Sequence, residues 1–522
     1  MEYSTLIDQL SISDLYPHPV EVITTIETHI SIVFLTGRFA YKLKKPVDFG
    51  FLDFSTLSQR KKFCELEVQL NRRTAPDIYL DVCPIYQQNG QLSFSAVSQN
   101  DQPVDYLVKM NQFDPNLVLG RYLKDSELTP LQIEKLAHSI ACFHNQAESA
   151  HDEIAFGHPD DVIHPMLDNF PSLLQTFDHP EIRYRLRQLA EWTHYTQKQL
   201  YQTLLTRKQE GNIKSCHGDM HLDNITLLNG EPTLFDGIEF NDQFRWIDVM
   251  NDLAFLLIDL DHRQQPKMKR LIRSLYLSET GDYAGLQVLK FYQTYRAMVR
   301  SKITALRYHQ LDPNSYEALD CWETSLQYLK QAEQYAYELP MPKIILMQGI
   351  AGSGKSHYAR QLLTFVDGII ISSDIERKRL YGIDPLHRVS DNEKSALYSD
   401  EMNQKTYETL YELTELIVKQ GYSVIVDATF LKFQHREVFM ELGEKLNAPC
   451  KLVSIEPDID IIRKNIESRV EANSNPSDAD TSIMVRQADV IEPPSPQEDA
   501  YRLQPMQPID AENFKIWLDR SL

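Results

Sequence analysis

The most constraining feature of this 522-residue chain is the run from Gly349 to Ser356, which reads GIAGSGKS. It matches the phosphate-loop pattern G-x-x-x-x-G-K-[ST] in full. An apolar run, Ile344 to Met347, precedes it, and Tyr358, Ala359 and Leu362 follow at helical spacing. This order predicts a buried strand, a phosphate-binding loop and a helix within a parallel α/β sheet. A glycine-rich turn that matches the pattern by chance is the alternative.

The residues of this loop have separate expected roles. Glycines let the backbone fold around phosphates with its N–H groups pointing inward, and the helix N-terminus adds partial positive charge. Lys355 is expected to reach the β- and γ-phosphates, and the Ser356 hydroxyl to contact Mg²⁺. We therefore predict ATP and Mg²⁺ as ligands. The predicted nucleotide contacts are Gly349, Gly352, Ser353, Gly354, Lys355 and Ser356.

Two acids end further apolar runs after the loop. Asp374 follows a predicted buried strand and precedes Arg377 by one helical turn, and Asp427 ends a second predicted strand. Because the carboxyl ends of parallel strands meet at one edge of a sheet, we predict Asp374 as the general base and Arg377 as the contact to the acceptor. Asp427 is predicted to hold Mg²⁺ through water. Alternatively, Asp374 only caps the helix that follows.

The polar stretch from Asn473 to Thr481 is predicted to form a lid. Arg463, Arg469 and Arg486 flank it, and we assign Arg469 to the nucleotide as the guanidinium that reaches the transferring phosphoryl group. The alternative is a solvated loop beside an ordinary basic helix.

A second signature, HGDMHLDN, runs from His217 to Asn224. Asp219 and Asn224 have the spacing of a catalytic aspartate and a metal-binding asparagine, and an Asn-Gly hairpin turn then returns the chain to Asp236. We predict Asp219 as the base, and Asn224 and Asp236 as Mg²⁺ ligands. The two histidines that alternate with Asp219 leave a metalloprotein site as the alternative.

A site of this kind also needs a lysine on an earlier strand and a glutamate on the helix behind it. Lys42 lies on a predicted strand, and the helical segment after it offers Glu67, or less favourably Glu65. We assign Lys42 and Glu67 to the nucleotide site. Lys42 also belongs to a basic run with Lys44 and Lys45, and such runs are usually solvated.

These motifs resemble those of known protein families. With HGDMHLDN and the aspartate of LFDGIEF, residues 1–335 resemble the aminoglycoside phosphotransferase family, although the chain has His-Gly-Asp in place of His-Arg-Asp and lacks a G-x-G-x-x-G loop. With the phosphate loop, Asp374, Arg377 and Asp427, the second half resembles small P-loop kinases such as gluconate kinase, polynucleotide 5′-kinase and the zeta toxins. The whole chain resembles bacterial two-domain proteins that join these folds.

The resemblance implies a fold of the α/β and α+β classes in two domains. A kinase-like bilobal domain at 1–335 is followed by a linker at 336–342 and a P-loop α/β sandwich with a parallel sheet at 343–522. Leu339-Pro340-Met341-Pro342 breaks a long helical pattern at this junction.

The amino-acid composition limits the kinds of partner that the chain is expected to bind. The formal charge of −21 disfavours nucleic acid and anionic membranes, both of which need clustered lysine and arginine. Six scattered cysteines and the absence of a long apolar segment predict a cytoplasmic protein. The expected partner is a small molecule that offers a hydroxyl group. Neither its identity nor the oligomeric state follows from the sequence.

The leading hypothesis is a bifunctional kinase with two ATP sites that phosphorylate small-molecule hydroxyls. One alternative makes the N-terminal domain a nucleotide-binding regulator of the P-loop kinase. Another gives the P-loop half a zeta-toxin-like or polynucleotide-kinase-like activity.

Overall fold

The structure is a computed structural model, and it describes residues 2–96, 98, 100–150, 156–384, 387, 389, 396–456, 462, 481–505 and 507–520, without the side chains of 481–483. By its internal contacts the chain divides into two units. The first unit comprises Met1–Asp259 and Phe291–Ala332. The second unit comprises Leu260–Lys290 and Glu333–Leu522.

A six-stranded antiparallel sheet opens the first unit, in the order β1-β2-β3-β6-β4-β5. Its strands are β1 (Thr24–Glu27), β2 (Ser31–Leu35), β3 (Phe39–Lys44), β4 (Tyr79–Gln88), β5 (Gln91–Ser93) and β6 (Asp105–Asn111). Helices α1 (Tyr3–Leu10) and α2 (Leu57–Asn71) accompany them. Leu107 packs in the cluster that contains α1, whereas Val108 packs in the cluster that contains α2. Since neighbouring strand residues face opposite ways, the two helices cover opposite faces of the sheet.

The rest of the first unit is mainly helical. Its helices begin in ways that the sequence marks, since Pro130 and Pro180 occupy first helical positions and Thr129 forms a capping box. The helices are α3 (Leu119–Tyr122), α4 (Pro130–Gln146), α5 (Pro159–Leu167), α6 (Asn169–Thr176), α7 (Pro180–Gln209), α8 (Asp242–Arg245), α9 (Val249–His262), α11 (Leu286–Tyr308) and α12 (Tyr316–Tyr337). Helix α10 (Pro266–Thr280) lies between α9 and α11 in sequence and belongs to the second unit. The division into units falls within α9, α11 and α12.

Two small sheets frame the HGDMHLDN loop. Strand β7 (Ile213–Ser215) precedes the loop and pairs with β10 (Trp246–Asp248). Strands β8 (Ile225–Leu228) and β9 (Glu231–Leu234) form the predicted hairpin directly after it. The loop is therefore held at both ends.

A five-stranded parallel sheet forms the centre of the second unit, in the order β12-β13-β11-β14-β15. The strands are β11 (Ile344–Gln348), β12 (Gly368–Ser372), β13 (Ser423–Asp427), β14 (Cys450–Ile455) and β15 (Tyr501–Leu503). Every residue of β11 and β13 is buried, as expected where both faces of a parallel sheet are covered. The helices are α13 (Lys355–Leu362), α14 (Ser373–Tyr381), α15 (Asp400–Lys419), α16 (Phe433–Leu446), α17 (Thr481–Val490) and α18 (Ala511–Asp519).

Helix α10 belongs to the second unit although it lies far from the P-loop in sequence. Ser274 Oγ accepts a hydrogen bond from the backbone N–H of Ile370 in strand β12 at 3.0 Å. Tyr283, just beyond α10, donates its hydroxyl hydrogen to Glu376 Oε1 at 3.0 Å. Strand β12 and helix α14 are thus braced by the segment Leu260–Lys290.

The predicted fold class is confirmed, with a mixed α/β kinase-like part followed by a parallel five-stranded sheet. Residues 338–343 lie outside helices and strands, where the sequence placed the junction. The boundaries 1–335, 336–342 and 343–522 remain a prediction, since the units defined by contacts are discontinuous in sequence. None of the described helices combines the length and apolar character needed to cross a membrane.

Candidate active sites

Lys42 lies on β3 of the first unit and contacts two acids. Its Nζ donates to Glu67 Oε1 at 2.8 Å and to Asp236 Oδ1 at 2.7 Å. The Glu67 side chain, on α2, has no exposed area, whereas that of Glu65 is 57% exposed. The structure brings Lys42, Glu67 and Asp236 together, and it favours Glu67 over Glu65 as the lysine's partner.

Lys44, two residues further along β3, is buried beside Lys42. Its Nζ donates to Glu67 Oε2 at 2.5 Å and also to Glu239. Burial raises the pKa of Glu67, but the charges of Lys42 and Lys44 outweigh burial and hold it below its ordinary value. Two lysines of the basic run are therefore paired with buried acids, and the interpretation of the run as a solvated surface does not hold for them.

Asp219 and Asn224 lie on the loop between β7 and β8. Asn224 Nδ2 donates to Asp219 Oδ2 at 3.0 Å and to the Asp219 backbone carbonyl at 2.9 Å. Because the amide nitrogen already donates to Asp219, the Oδ1 atom is the side-chain atom of Asn224 that can coordinate a cation. The backbone N–H of Phe235 donates to the Asn224 carbonyl at 3.0 Å, so the hairpin returns Asp236 to this loop. Carboxylate and amide oxygens suit Mg²⁺.

Asp219 is kept ionised by its neighbours. The His221 Nε2 atom lies 3.3 Å from Asp219 Oδ2. Burial raises the pKa of Asp219, but the charge and hydrogen bond of His221, with the charge of Arg300, outweigh it and lower the pKa below its ordinary range. Burial lowers the pKa of His221, yet the charge of Asp219 raises it overall. Each of the two side chains therefore favours the charged form of the other.

Both ring nitrogens of His217 are used within the protein. Nε2 donates to the Phe235 carbonyl at 2.9 Å, and Nδ1 accepts from the backbone N–H of Asp219 at 3.4 Å. Burial lowers the pKa of His217, which fits this neutral tautomer. Its contacts therefore give no support to the metalloprotein alternative.

Two buried acids on α9 hold the HGDMHLDN loop, and the sequence analysis did not identify them. The Asp252 carboxylate accepts from the backbone N–H groups of His217 at 2.9 Å and Gly218 at 3.0 Å. Asp259 Oδ2 accepts from the backbone N–H of Leu222 at 2.9 Å. The available signal was that Asp252 and Asp259 flank the wholly apolar run 253–258, because carboxylates buried within an apolar stretch require partners.

The phosphate loop of the second unit, residues 349–354, joins β11 to α13. Gly352 and Gly354 have φ values of +83° and +97°, which side-chain-bearing residues rarely adopt. A Cβ atom on Gly349 would lie 2.5 Å from Ser353 Oγ. The backbone conformation therefore favours glycine at positions 352 and 354, and a side chain at position 349 would displace the Ser353 hydroxyl.

Ser356 and Asp427, both predicted to hold Mg²⁺, contact each other beside this loop. Ser356 Oγ donates to Asp427 Oδ2 at 2.6 Å. Burial raises the pKa of Asp427, the Lys355 charge and the Ser356 hydrogen bond offset this only in part, and the charge of Asp374 adds to the rise. A buried acid short of positive charge beside a hydroxyl fits a Mg²⁺ ion, which these two oxygens would hold.

Asp374 does not have the contacts of a helix cap. Helix α14 begins at Ser373, which places Asp374 in its first turn, and Ser372 is the N-cap residue. Arg377 Nη1 donates to Asp374 Oδ1 at 3.0 Å, and Arg377 Nη2 donates to Asn403 Oδ1 at 3.2 Å. The cap alternative is thus not supported, and Asn403 joins the site as a residue that the sequence analysis missed.

A cavity of 1220 Å³ connects these groups within the second unit. The phosphate loop, Asp374, Arg377, Asp427 and Arg486 line it. Since a single bound small molecule typically occupies about 300–1000 Å³, the cavity has room for a nucleotide and an acceptor. Arg463 and the predicted Arg469 lie outside the described residues.

A family model described as an AAA domain matches residues 344–494. This match confirms the predicted P-loop domain. An uncharacterised protein of Mycobacterium tuberculosis is 27% identical over 485 residues, covering 90% of this chain and 92% of the relative, and one of Mycobacterium bovis gives the same values.

Two solved structures are among those similar to this chain. Amicoumacin kinase in complex with AMP-PNP is 13% identical with a TM-score of 0.40, covering 64% of this chain and 94% of its own. A sugar kinase from Janibacter sp. is 19% identical with a TM-score of 0.26, covering 34% of this chain and 95% of its own. With the family match over the P-loop domain, this chain is a phosphotransferase.

Proposed function

We propose that this chain is a bifunctional kinase, in which each unit transfers the γ-phosphoryl group of ATP to a hydroxyl group of a small molecule. The observation that carries the proposal is the presence of two complete constellations. Lys42, Glu67 and Asp236 meet in the first unit, and Ser356 bonds Asp427 beside the phosphate loop of the second. A chain in which only one unit is catalytic would need only one of these two sets of residues.

In the first unit, Asp219 is the proton acceptor. As the acceptor oxygen forms its bond to the γ-phosphorus, the bond from that phosphorus to the bridging oxygen of ADP breaks, and the hydroxyl proton passes to the Asp219 carboxylate. Lys42 binds the phosphates and is positioned by Glu67. Asn224 and Asp236 would hold Mg²⁺, which when bound neutralises phosphate charge.

In the second unit, Asp374 takes the same role. Lys355 and the backbone N–H groups of the phosphate loop bind the phosphates, and Ser356 with Asp427 would hold Mg²⁺. Arg377 holds the Asp374 carboxylate in place through its hydrogen bond. The acceptor hydroxyl loses its proton to Asp374 as the new oxygen–phosphorus bond forms and ADP leaves.

Counting bound nucleotides tests the two-site proposal. We expect about two ATP molecules per wild-type chain, and about one for Lys42→Ala or Lys355→Ala, because each lysine serves one site. Lys45→Ala is the matched control for Lys42→Ala, since Lys45 belongs to the same basic run but pairs with Glu27, which is 66% exposed. A wild-type ratio of one that neither variant changes would contradict the proposal.

Turnover distinguishes catalysis from regulation. The protein is incubated with labelled ATP and a metabolite extract, and the labelled products are separated. Asp219→Ala should remove one set of products and Lys355→Ala the other, each by about 10²-fold or more, since positioning and charge stabilisation carry most of the rate. If Asp219→Ala removes no product while Lys355→Ala removes all of them, the first unit is a regulator.

A further inference from the structure

Helix α14 carries the proposed base of the second unit and the arginine that holds it. Asp374 and Arg377 are three residues apart, and Arg377 Nη1 donates to Asp374 Oδ1 at 3.0 Å. An ion pair at this spacing on one helix is weak, and an arginine side chain has many rotamers. A contact from outside α14 is therefore needed to hold the guanidinium group in one orientation.

Asn403 on helix α15 supplies that contact. Arg377 Nη2 donates to Asn403 Oδ1 at 3.2 Å, although the two residues are 26 positions apart in sequence. The Arg377 side chain is 8% exposed, and its Cζ atom lies 4.9 Å from the centre of the Tyr398 ring. Because the guanidinium group is planar, hydrogen bonds from two of its nitrogen atoms and contact with a ring face fix both its position and its plane.

The Asn403 amide is itself held in one orientation. Its Nδ2 atom donates to the Tyr398 backbone carbonyl at 3.3 Å. A carbonyl oxygen can only accept, so the amide nitrogen faces Tyr398 and the amide oxygen faces Arg377. Aspartate at this position would have no N–H group for Tyr398, and an apolar residue would bond neither neighbour. The two contacts therefore favour an amide side chain here.

Helix α15 also holds the segment that follows strand β13. Tyr407 lies one turn beyond Asn403 on the same face of the helix, and both residues line the cavity. The Tyr407 hydroxyl accepts from the backbone N–H of Phe430 at 3.2 Å. The carbonyl of Thr429 accepts from the backbone N–H of Gly349, the first residue of the phosphate loop, at 3.2 Å. One face of α15 therefore contacts both α14 and the segment that is bonded to the phosphate loop.

Resting on the proposed kinase activity of the second unit, we propose that Asn403 is a positioning residue for its phosphoryl transfer. Asn403 holds the Arg377 guanidinium group, and Arg377 in turn holds the Asp374 carboxylate in the orientation that accepts the proton of the acceptor hydroxyl. Its contribution to turnover passes through Arg377.

The test uses the full chain with Asp219→Ala, so that only the second unit turns over. The probe is the fraction of a metabolite extract that this protein labels from labelled ATP with Mg²⁺, and initial rates over a dilution series of that fraction give relative kcat and KM. Asn403→Ala should lower kcat by about tenfold with an unchanged KM for ATP, because a misplaced base slows the chemical step while the phosphate loop is untouched. The matched control is Glu401→Ala on the same helix, which removes an exposed pair with Lys405 and should change kcat by less than about twofold.

A double-mutant cycle separates positioning through Arg377 from a general structural role. Arg377→Lys keeps the positive charge but lacks the planar fork that reaches both Asp374 and Asn403. In that background Asn403→Ala should change kcat by less than about twofold, because the contact through which Asn403 acts is already lost. An equal fall in kcat in both backgrounds would make Asn403 a structural residue and overturn the assignment, as would a normal kcat for Asn403→Ala alone. The absence of any label with the Asp219→Ala parent protein would instead overturn the kinase proposal for the second unit, and the role of Asn403 with it.

Discussion

The buried cluster at Lys42, Lys44 and Glu67 allows a sharp prediction. Glu67 has no exposed side-chain area and accepts from Lys42 at 2.8 Å and Lys44 at 2.5 Å. In Glu67→Gln only one of the two acceptor oxygens remains, and the new amide N–H₂ group meets an ammonium group. One charge-assisted hydrogen bond is lost, worth about 1.5–3 kcal/mol. Each lysine keeps one acid, Lys42 through Asp236 and Lys44 through Glu239, so the free energy of unfolding of the first unit should fall by this amount, about 1.5–3 kcal/mol.

The matched control is Glu65→Gln, the same chemical change two residues away on α2. Glu65 is 57% exposed and 3.8 Å from Lys61, so its ion pair is screened by solvent. We expect a change within about 0.5 kcal/mol. The two substitutions therefore separate a buried network from helix propensity and net charge, which they alter equally.

Denaturant unfolding followed by tryptophan fluorescence measures the difference. Trp192, Trp246 and Trp322 lie in the first unit and Trp517 in the second, so a Trp517→Phe background reports on the first unit alone. The same protein should also bind ATP about tenfold more weakly at the first site, because Lys42 loses the acid that positions it. Equal midpoints for Glu67→Gln and Glu65→Gln would refute the reasoning.

Three further predictions concern other parts of the chain. Asp374→Asn should lower turnover by the second unit by about 10² to 10⁴ with unchanged stability and ATP affinity, and near-normal turnover would mean that Asp374 is not the base. The pKa of His221 lies above its ordinary 6.5, so its ion pair with Asp219 should stabilise the first unit below that pH and be lost as pH rises through the folded pKa. The free energy of unfolding of the wild type should therefore decrease as the pH rises from about 5 to about 9, and His221→Gln should remove this dependence on pH. A fragment that starts at Met341 lacks Leu260–Lys290 and should unfold at lower denaturant concentration than the second unit of the whole chain, and an equal midpoint would show that the segment is dispensable.

Much of the second unit's site could be predicted because its groups are local or follow from strand order. The phosphate loop is a contiguous run whose glycines are required by its own backbone, as the φ values of Gly352 and Gly354 show. Asp427 and Asp374 come at or just after the ends of neighbouring parallel strands, so the alignment of strand ends brings them to one edge. The spacing of Asp219 and Asn224 is likewise set within one loop.

Other features depend on contacts between residues far apart in the chain. Lys44 belongs to a basic run that is usually solvated, and only the packing of β3 against α2 buries it between Glu67 and Glu239. The bond from Tyr283 to Glu376 spans 93 residues.

The sequence by itself determined that two phosphate-binding motifs are present, what chemistry each motif contains and which fold class each half takes, because local spacing and strand order encode these. Only the tertiary structure decided that Asp252 and Asp259 hold the HGDMHLDN loop and that Leu260–Lys290 completes the second unit. Burial and hydrogen-bond partners at these positions depend on which surfaces meet after the chain has folded. Hydrophobic periodicity is a local pattern, so it does not predict a polar partner many residues away.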